Sequence, residues 1–198
     1  RATRGDSDLL LFIAFSGGGA RSAALSHGAL RGLRAIPVQR GGMQATLLDD
    51  VDLISGISGG SFTAAHYGLH RERHFETFPR EFLHRDINIY RSQTYLYPWN
   101  WGWLANPAVG TNDYMAEIYD RLLFRGATFR DLAQRGLPLV VISATDFVNG
   151  VAFPFIDMTF DALCSDLNSF RIARAVAASS AFPFLFSPVA LENHAAAC

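Results

Sequence analysis

The segment Gly56–Gly60, which reads Gly-Ile-Ser-Gly-Gly, constrains the fold of this chain more than any other. A short apolar run from Val51 precedes it, and a helix-like stretch follows it. Together they form a G-x-S-x-G motif between a strand and a helix, the arrangement that lifts a serine hydroxyl out of the backbone. The glycines permit a sharp turn, and the N-terminus of the helix favours negative charge that develops beside the serine. We therefore expect Ser58 to be a nucleophile, supported by Gly56, Gly59 and Gly60.

A glycine-rich turn follows the first predicted strand. The apolar run Leu9–Phe15 is typical of a strand buried on both faces, and residues 16–21 then read Ser-Gly-Gly-Gly-Ala-Arg before a helical pattern. Three successive glycines expose backbone N–H groups that suit an anion or an oxyanion. The alternative is a tight strand-to-helix connection with no binding or catalytic role. A phosphate loop is disfavoured because the Gly-Lys-Ser/Thr ending is missing, and G-x-G-x-x-G spacing fails at Ser22.

The two turns belong to successive strand–turn–helix units. Parallel strands bring such turns to the same carboxyl edge of a sheet, so the first turn would bind an oxyanion and the second would present the serine. The same alternation continues later in the chain. It predicts helices over 111–124, 128–134 and 170–178, and strands over 139–142 and 151–156. The sequence therefore predicts an α/β fold.

Four blocks of the sequence carry a resemblance to a known family. They read Gly17-Gly18-Gly19-Ala20-Arg21, Gly56-Ile57-Ser58-Gly59-Gly60, Ser143-Ala144-Thr145-Asp146 and Ala178-Ser179-Ser180-Ala181-Phe182-Pro183. In this order, and over nearly the whole chain, they are similar to the signatures of patatin-like phospholipases of the bacterial type. The resemblance implies a three-layer α/β sandwich with a mostly parallel central sheet, and one hydrolase domain over residues 1–198.

The resemblance also implies a chemistry. Members of this family are lipid acyl hydrolases of the phospholipase A or lysophospholipase type, which cleave fatty-acyl esters with a Ser–Asp dyad through an acyl-enzyme. Carried over by position, Ser58 is the nucleophile, Gly17, Gly18 and Gly19 form the oxyanion hole, and Arg21 lies beside it. The implied partner is a phospholipid or another lipid ester, with peripheral contact to a membrane. Neither a cofactor nor a nucleic acid is implied.

The aspartate of the dyad has no counterpart in these residues. In the family it lies in an Asp-Gly-Gly or Asp-Gly-Ala motif beyond the fourth block, and the sequence contains neither. We therefore expect residues 1–198 to be part of a longer chain, incomplete at the C-terminus, with its catalytic aspartate beyond Cys198. Without a positioned base a serine hydroxyl is a weak nucleophile, so this part alone should be inactive. A non-catalytic module that binds a lipid or a partner is the alternative function.

A Ser–Asp–His triad of the α/β-hydrolase type is a lesser alternative. The sequence supplies its members in order as Ser58, Asp146 or Asp157, and His194. The 41 residues from Gly17 to Ser58 leave room for only one helix and a loop between the two strands. We expect the Asp146 side chain to hydrogen-bond the backbone of its own turn.

Composition excludes several classes of function. A net charge of −1 provides no basic field for nucleic acid, and 49% apolar residues support one domain with a sizeable core. No apolar run reaches the ~18 residues that span a bilayer. The histidines lack the H-E-x-x-H pattern of a metal site and are expected to be packed or solvated. The two cysteines, Cys164 and Cys198, permit one disulfide without fixing the redox compartment.

An aromatic-rich stretch, residues 71–107, interrupts the alternation of strands and helices. It contains Trp99, Trp101 and Trp103, which would lie on one side of an extended segment. We expect an insertion or cap that packs on the body of the domain, and contact with lipid is the alternative. The family resemblance favours a bacterial exported or envelope-associated protein over a cytoplasmic one.

Overall fold

The computed structural model describes residues 10–40, 43–86, 110–182, 187–194, 196 and 198. Its strands are Leu11–Phe15 (β1), Pro37–Arg40 (β2), Met43–Thr46 (β3), Val51–Ile57 (β4), Leu139–Thr145 (β5) and Ala152–Pro154 (β6). Its α-helices are Gly19–Arg34 (α1), Gly59–His70 (α2), His74–Phe78 (α3), Thr111–Tyr119 (α4), Phe129–Gln134 (α5), Asp157–Ala162 (α6) and Ile172–Ser179 (α7). Single π-helical turns, Pro79–Leu83 and Asp120–Phe124, extend α3 and α4, and short 3-10 helices occur at Leu47–Asp50, Arg71–Arg73 and Leu167–Ser169.

The central sheet has the strand order β1–β4–β5–β6. Strands β1, β4 and β5 are parallel, whereas β6 pairs antiparallel with β5. Phe15 lies opposite Gly56, and Ile57 lies opposite Ser143, so the loops after β1, β4 and β5 all leave from one edge of the sheet. The α/β fold with a mostly parallel central sheet flanked by helices is confirmed.

Helix α2 is the central packing element. Its residues from Gly59 to Leu69 are all buried, as expected of a helix that is apolar or small on every side. Ala64 and Tyr67 pack with Ile54 of β4 and with Leu30 of α1. Its other side carries Phe62, Ala65 and Leu69, which join a second core with α4, α5 and α7. The helix that begins at the G-x-S-x-G motif is therefore held from all sides.

Helix α7 packs through small side chains, as the sequence predicts. Ala173, Ala175, Val176 and Ala177 are at most 1% exposed, in one cluster with Ile142 of β5. Small residues let the helix approach the sheet closely, which brings its last turn to the carboxyl edge of β5.

The opposite face of the sheet stays partly open in the described part of the chain. Phe12 of β1 is 63% exposed and Leu139 of β5 is 54% exposed, while Ile54 and Ile142 on the helix-covered face are fully buried.

None of the described helices combines the length and apolarity needed to cross a membrane.

The link from α1 to β4 differs from the sequence-based expectation of a simple loop. It contains the hairpin β2–β3, an antiparallel pair of four-residue strands outside the main sheet, and the 3-10 helix that follows. The dipeptide Gly41-Gly42 between two short segments was the available signal for a hairpin.

The start of the predicted insertion is helical and packed. Residues 71–83 form a 3-10 helix, α3 and a π-helical turn, in which Phe78 is fully buried and Phe82 is 5% exposed. The spacing of four residues between these two phenylalanines puts both on one helical face. Trp99, Trp101 and Trp103 lie outside the described residues, so the assignment of residues 71–107 as an insertion or cap stays a prediction.

Cys164 and Cys198 form a disulfide, with their Cα atoms 5.8 Å apart. The bond ties the last described residue to the turn after α6. The backbone N–H of His194 also donates to the carbonyl of Leu163, 3.0 Å away. The pairing that the cysteine count left open is thus present.

Candidate active site

Ser58 occupies the turn between β4 and α2 in a strained backbone conformation. Its φ is 50° and its ψ is −121°, a region that residues with a Cβ rarely adopt. Its carbonyl accepts hydrogen bonds from the N–H of Ser61, at 3.0 Å, and from the Ser61 hydroxyl, at 2.6 Å. The first turn of α2 therefore fixes the serine, whose side chain stays half-exposed at the carboxyl edge of the sheet.

The glycines around Ser58 allow two chain segments to come closer than side chains would permit. A Cβ on Gly56 would lie 2.7 Å from the Cα of Ser61, and one on Gly60 would lie 2.6 Å from the Cβ of Phe15. A Cβ on Gly59 would collide with the carbonyl of Gly19. Gly59 and Gly60 thus let the Ser58 turn sit directly on the turn that follows β1.

The glycine-rich turn lies beside Ser58. Gly18 and Gly19 have φ values of 141° and 61°, which favour glycine. A Cβ on Gly17 would lie 3.4 Å from the Cβ of Ser58 and 4.0 Å from its Oγ. The Ser22 hydroxyl donates to the Ser16 carbonyl and holds the turn from within. The structure therefore brings together two of the sequence-predicted groups, the Gly17–Gly19 turn and Ser58.

The electrostatics of this edge favour an anion. Helix α1 begins at Gly19 and α2 begins at Gly59, and neither N-terminus has a side-chain cap or an acidic residue in its first turn. The positive ends of two helix dipoles therefore meet next to Ser58. Such an arrangement stabilises a negative charge that forms on a group attacked by Ser58.

Arg21 lies in the first turn of α1 and is exposed. Within the described part of the chain it forms no ion pair. Its assignment as a supporting residue of the oxyanion turn stays a prediction.

Ser179 is a site residue that the sequence analysis missed. The backbone N–H of Ser58 donates to the Ser179 hydroxyl at 2.8 Å, and that hydroxyl donates to the Ser143 carbonyl at 2.6 Å. One side chain at the end of α7 thus links the serine turn to the end of β5. The sequence showed only that Ser179 belongs to a block of family resemblance.

Asp146, the first of the two aspartates that the sequence offered for a triad, has another role. Asp146 is exposed and closes its own turn, because its carboxylate accepts the N–H groups of Val148 and Asn149 and the Asn149 amide. These hydrogen bonds, above all that from the Asn149 side chain, lower the pKa of Asp146. His194 forms an ion-pair contact of 3.3 Å with Glu192. The described residues therefore do not assemble a Ser–Asp–His triad.

A chain of buried histidines joins α1, α2 and α3. His27 Nδ1 lies 3.0 Å from His74 Nε2, and His74 Nδ1 lies 3.0 Å from His66 Nδ1. His66 Nε2 faces the Glu81 carboxylate at 3.7 Å, which favours the tautomer with its proton on that nitrogen. His66 and His74 are fully buried, so the expectation of packed histidines holds for them.

The ring nitrogens of this chain pair with one another instead of converging on one point. Among the described residues no group of histidines, cysteines or acids has the geometry to hold a metal ion. Burial, together with the neighbouring histidines, lowers the pKa of His66 to about 2 and that of His74 to about 3. Burial also lowers the pKa of His27 and of His70. The cluster is therefore neutral packing between helices.

Residues 13–196, nearly the whole chain, match the family model described as Patatin-like phospholipase. A search of curated proteins finds no match to the chain.

Replacing Gly60 with alanine should destabilise the protein by about 1–3 kcal/mol or more, because the new Cβ would overlap the backbone and side chain of Phe15. Gly32→Ala is the matched control. A Cβ at Gly32, within α1, would have no atom within 4 Å, so alanine should raise the free energy of unfolding by up to about 1 kcal/mol. Urea unfolding followed by circular dichroism measures both. Equal effects of the two substitutions would contradict the close approach of the two turns.

Acidification from pH 6.5 to pH 5 should lower the free energy of unfolding. The buried His66 and His74 stay neutral in the folded protein, whereas in the unfolded chain they take up protons near pH 6.5. The unfolded state then binds more protons, so each histidine contributes a loss of up to about 1.4 kcal/mol per pH unit.

Urea unfolding at several pH values measures this slope. His74→Phe, which retains a ring where His74 now stacks on Phe78, should make the slope shallower. His84→Gln, at an exposed position, should leave it unchanged. A wild-type slope of zero over this range would show that the histidine cluster does not control acid stability.

Proposed function

Because the chain belongs to the patatin-like phospholipase family, we propose that it hydrolyses fatty-acyl esters of lipids with Ser58 as its nucleophile. The family consists in general of carboxylic ester hydrolases that act on lipids. The observation that carries the proposal for this chain is the strained Ser58 at the meeting point of two uncapped helix N-termini.

In the proposed reaction the Ser58 hydroxyl attacks the acyl carbonyl and loses its proton to a base. Charge develops on the former carbonyl oxygen, where N–H groups of the Gly17–Gly19 turn and the helix N-termini stabilise it. The ester bond then breaks, the alcohol leaves with the proton, and the acyl group stays on Ser58. Water attacks this acyl-enzyme through the same steps and releases the fatty acid.

The base that we propose is the aspartate of the family's Asp-Gly-Gly or Asp-Gly-Ala motif, which residues 1–198 do not contain. Of the aspartates described, Asp146 is engaged in its own turn, and Asp52 accepts the backbone N–H of Leu11 at 2.9 Å. Neither side chain is arranged to take the proton of Ser58. We therefore propose that the dyad is completed by the motif's aspartate and not by either of these two.

The Cys164–Cys198 disulfide supports the proposal that the protein works outside the cytoplasm, as an exported or envelope-associated bacterial protein. Disulfides persist in oxidising compartments and are rare in the cytosol of most organisms. The proposed substrates there are phospholipids or other lipid esters.

Ser58→Ala in the full-length protein should lower the hydrolysis of a phosphatidylcholine substrate by about 10³-fold or more, because the nucleophile is removed. The same substitution should abolish covalent labelling by a long-chain fluorophosphonate, which mass spectrometry locates on the wild-type protein. A Ser58→Ala variant that keeps most of the activity would refute the proposal. A folded wild-type protein that binds lipid but neither hydrolyses it nor takes the label would favour a non-catalytic lipid-binding module.

Ser179→Ala should lower kcat by about tenfold to a hundredfold with little change in KM, because the Ser58 turn loses its link to β5. Ser180→Ala is the matched control, since among the described residues the Ser180 hydroxyl bonds to the carbonyls of Val176 and Ala177 in its own helix and not to the Ser58 turn. Ser179→Thr, which keeps the hydroxyl, should restore part of the loss. If both alanine variants behave alike, Ser179 does not position the nucleophile.

A further inference from the structure

The turn between β5 and β6, residues 146–151, displays apolar side chains to solvent. Phe147 is 72% exposed, Val148 is 89% exposed and Val151 is 54% exposed. A single exposed apolar residue is ordinary on a protein surface. Three of them within one six-residue turn form a patch of the kind that marks an interaction site.

This turn does not need its apolar residues for its own structure. Asp146 Oδ1 accepts the N–H groups of Val148, at 2.9 Å, and of Asn149, at 3.2 Å. The Gly150 N–H donates to the Asp146 carbonyl at 2.8 Å, and the Asp146 N–H donates to the Val151 carbonyl at 2.9 Å. Polar atoms therefore hold the turn, and the side chains of Phe147 and Val148 are free to contact something else.

The position of the turn relates it to Ser58. Ile57, the residue before Ser58, lies opposite Ser143, and the turn begins three residues later at Asp146. At about 3.3 Å per residue the turn starts about 10 Å beyond the level of Ile57. It therefore projects from the same edge of the sheet that carries the serine.

We propose that Phe147 and Val148 insert into the surface of a lipid bilayer and hold the Ser58 edge of the protein against it. This inference rests on the proposed function, since a lipid hydrolase must take its substrate from such a surface. Exposed aromatic and aliphatic side chains enter the boundary between headgroups and acyl chains and bind there through the apolar area that they bury.

The size of the patch favours a bilayer over a protein partner. One phenylalanine and two valines expose on the order of 300 Å² here, given that a whole aromatic side chain covers about 150–250 Å². A stable protein interface needs about 800 Å² from each partner. A narrow convex turn does not offer that area, whereas insertion into a fluid surface needs no matching shape.

The charge of the chain identifies the kind of bilayer for the test. With a net charge of −1, residues 1–198 have no general attraction to anionic lipid. Binding through the turn should therefore occur on zwitterionic phosphatidylcholine vesicles and should change little with salt.

The test is flotation of the full-length protein with phosphatidylcholine vesicles. Phe147→Ser combined with Val148→Ser should weaken the partition coefficient by about tenfold or more, because most of the inserted apolar area is lost. Met158→Ser is the matched control, since Met158 is 77% exposed in α6, after β6 has run back from this edge. It should bind vesicles as the wild type does.

A gain of binding excludes misfolding as the explanation. Val148→Trp should bind vesicles more tightly than the wild type. This gain should be the same at low ionic strength and at 0.5 M salt. Unchanged binding of the double serine variant would overturn the proposal. The proposal would also be overturned if the wild type formed an oligomer or a stable protein complex and the double serine variant did not.

Hydrolysis assays separate the failure of this inference from the failure of the proposed function. The double serine variant should lose most activity on vesicles and keep wild-type activity on a short, water-soluble ester such as 4-nitrophenyl butyrate. Equal loss on both substrates would overturn the membrane role while leaving hydrolysis established. A wild type inactive on both would refute the proposed function, and the flotation result would still decide whether the turn binds lipid.

Discussion

The close contact between the turn after β1 and the turn after β4 is the constraint on which the rest of the site depends. It exists because Gly59 and Gly60 lack a Cβ where Gly19 and Phe15 approach. The contact places two helix N-termini side by side and holds Ser58 between them in a strained conformation. Strain of this kind persists only where the surrounding structure fixes it. Here the fixing elements are backbone contacts and the hydroxyls of Ser61 and Ser179.

Helix α2 connects this contact between the two turns to the core. Its first turn fixes the carbonyl of Ser58, and its later turns carry His66, which is fully buried in the chain of histidines to α1 and α3. Because burial holds these imidazoles in the neutral form, their hydrogen bonds join the helices without placing a charge in the core. The two helices that supply the N-termini at the site are thereby also joined through His74 of α3, by His27 in the middle of α1 and His66 in the second half of α2.

Local patterns in the sequence predicted the four strands of the main sheet, the two turns and the order of the units, since each depends on neighbouring residues, but not the hairpin β2–β3. The role of Ser179 could not be predicted this way, because its partner Ser58 is 121 positions away and Ser180 is identical in type. The same holds for His27 and His74, which meet across 47 positions. The four-residue spacing of Phe78 and Phe82 could have predicted a buried helical face. It did not, because the charged residues around them favour a solvated segment.

The proposed chemistry has two parts, one from backbone groups and one from a side chain. In the proposed reaction the oxyanion is stabilised by backbone N–H groups at the N-termini of α1 and α2, which come together because β1, β4 and their helices pack. The proposed proton acceptor, the aspartate of the family's motif, is not one of the groups in that arrangement. An edge that favours negative charge also favours the ionised form of a nearby carboxylate. The same helix N-termini that stabilise the oxyanion would therefore keep an arriving aspartate charged, the state in which it can accept the proton of Ser58.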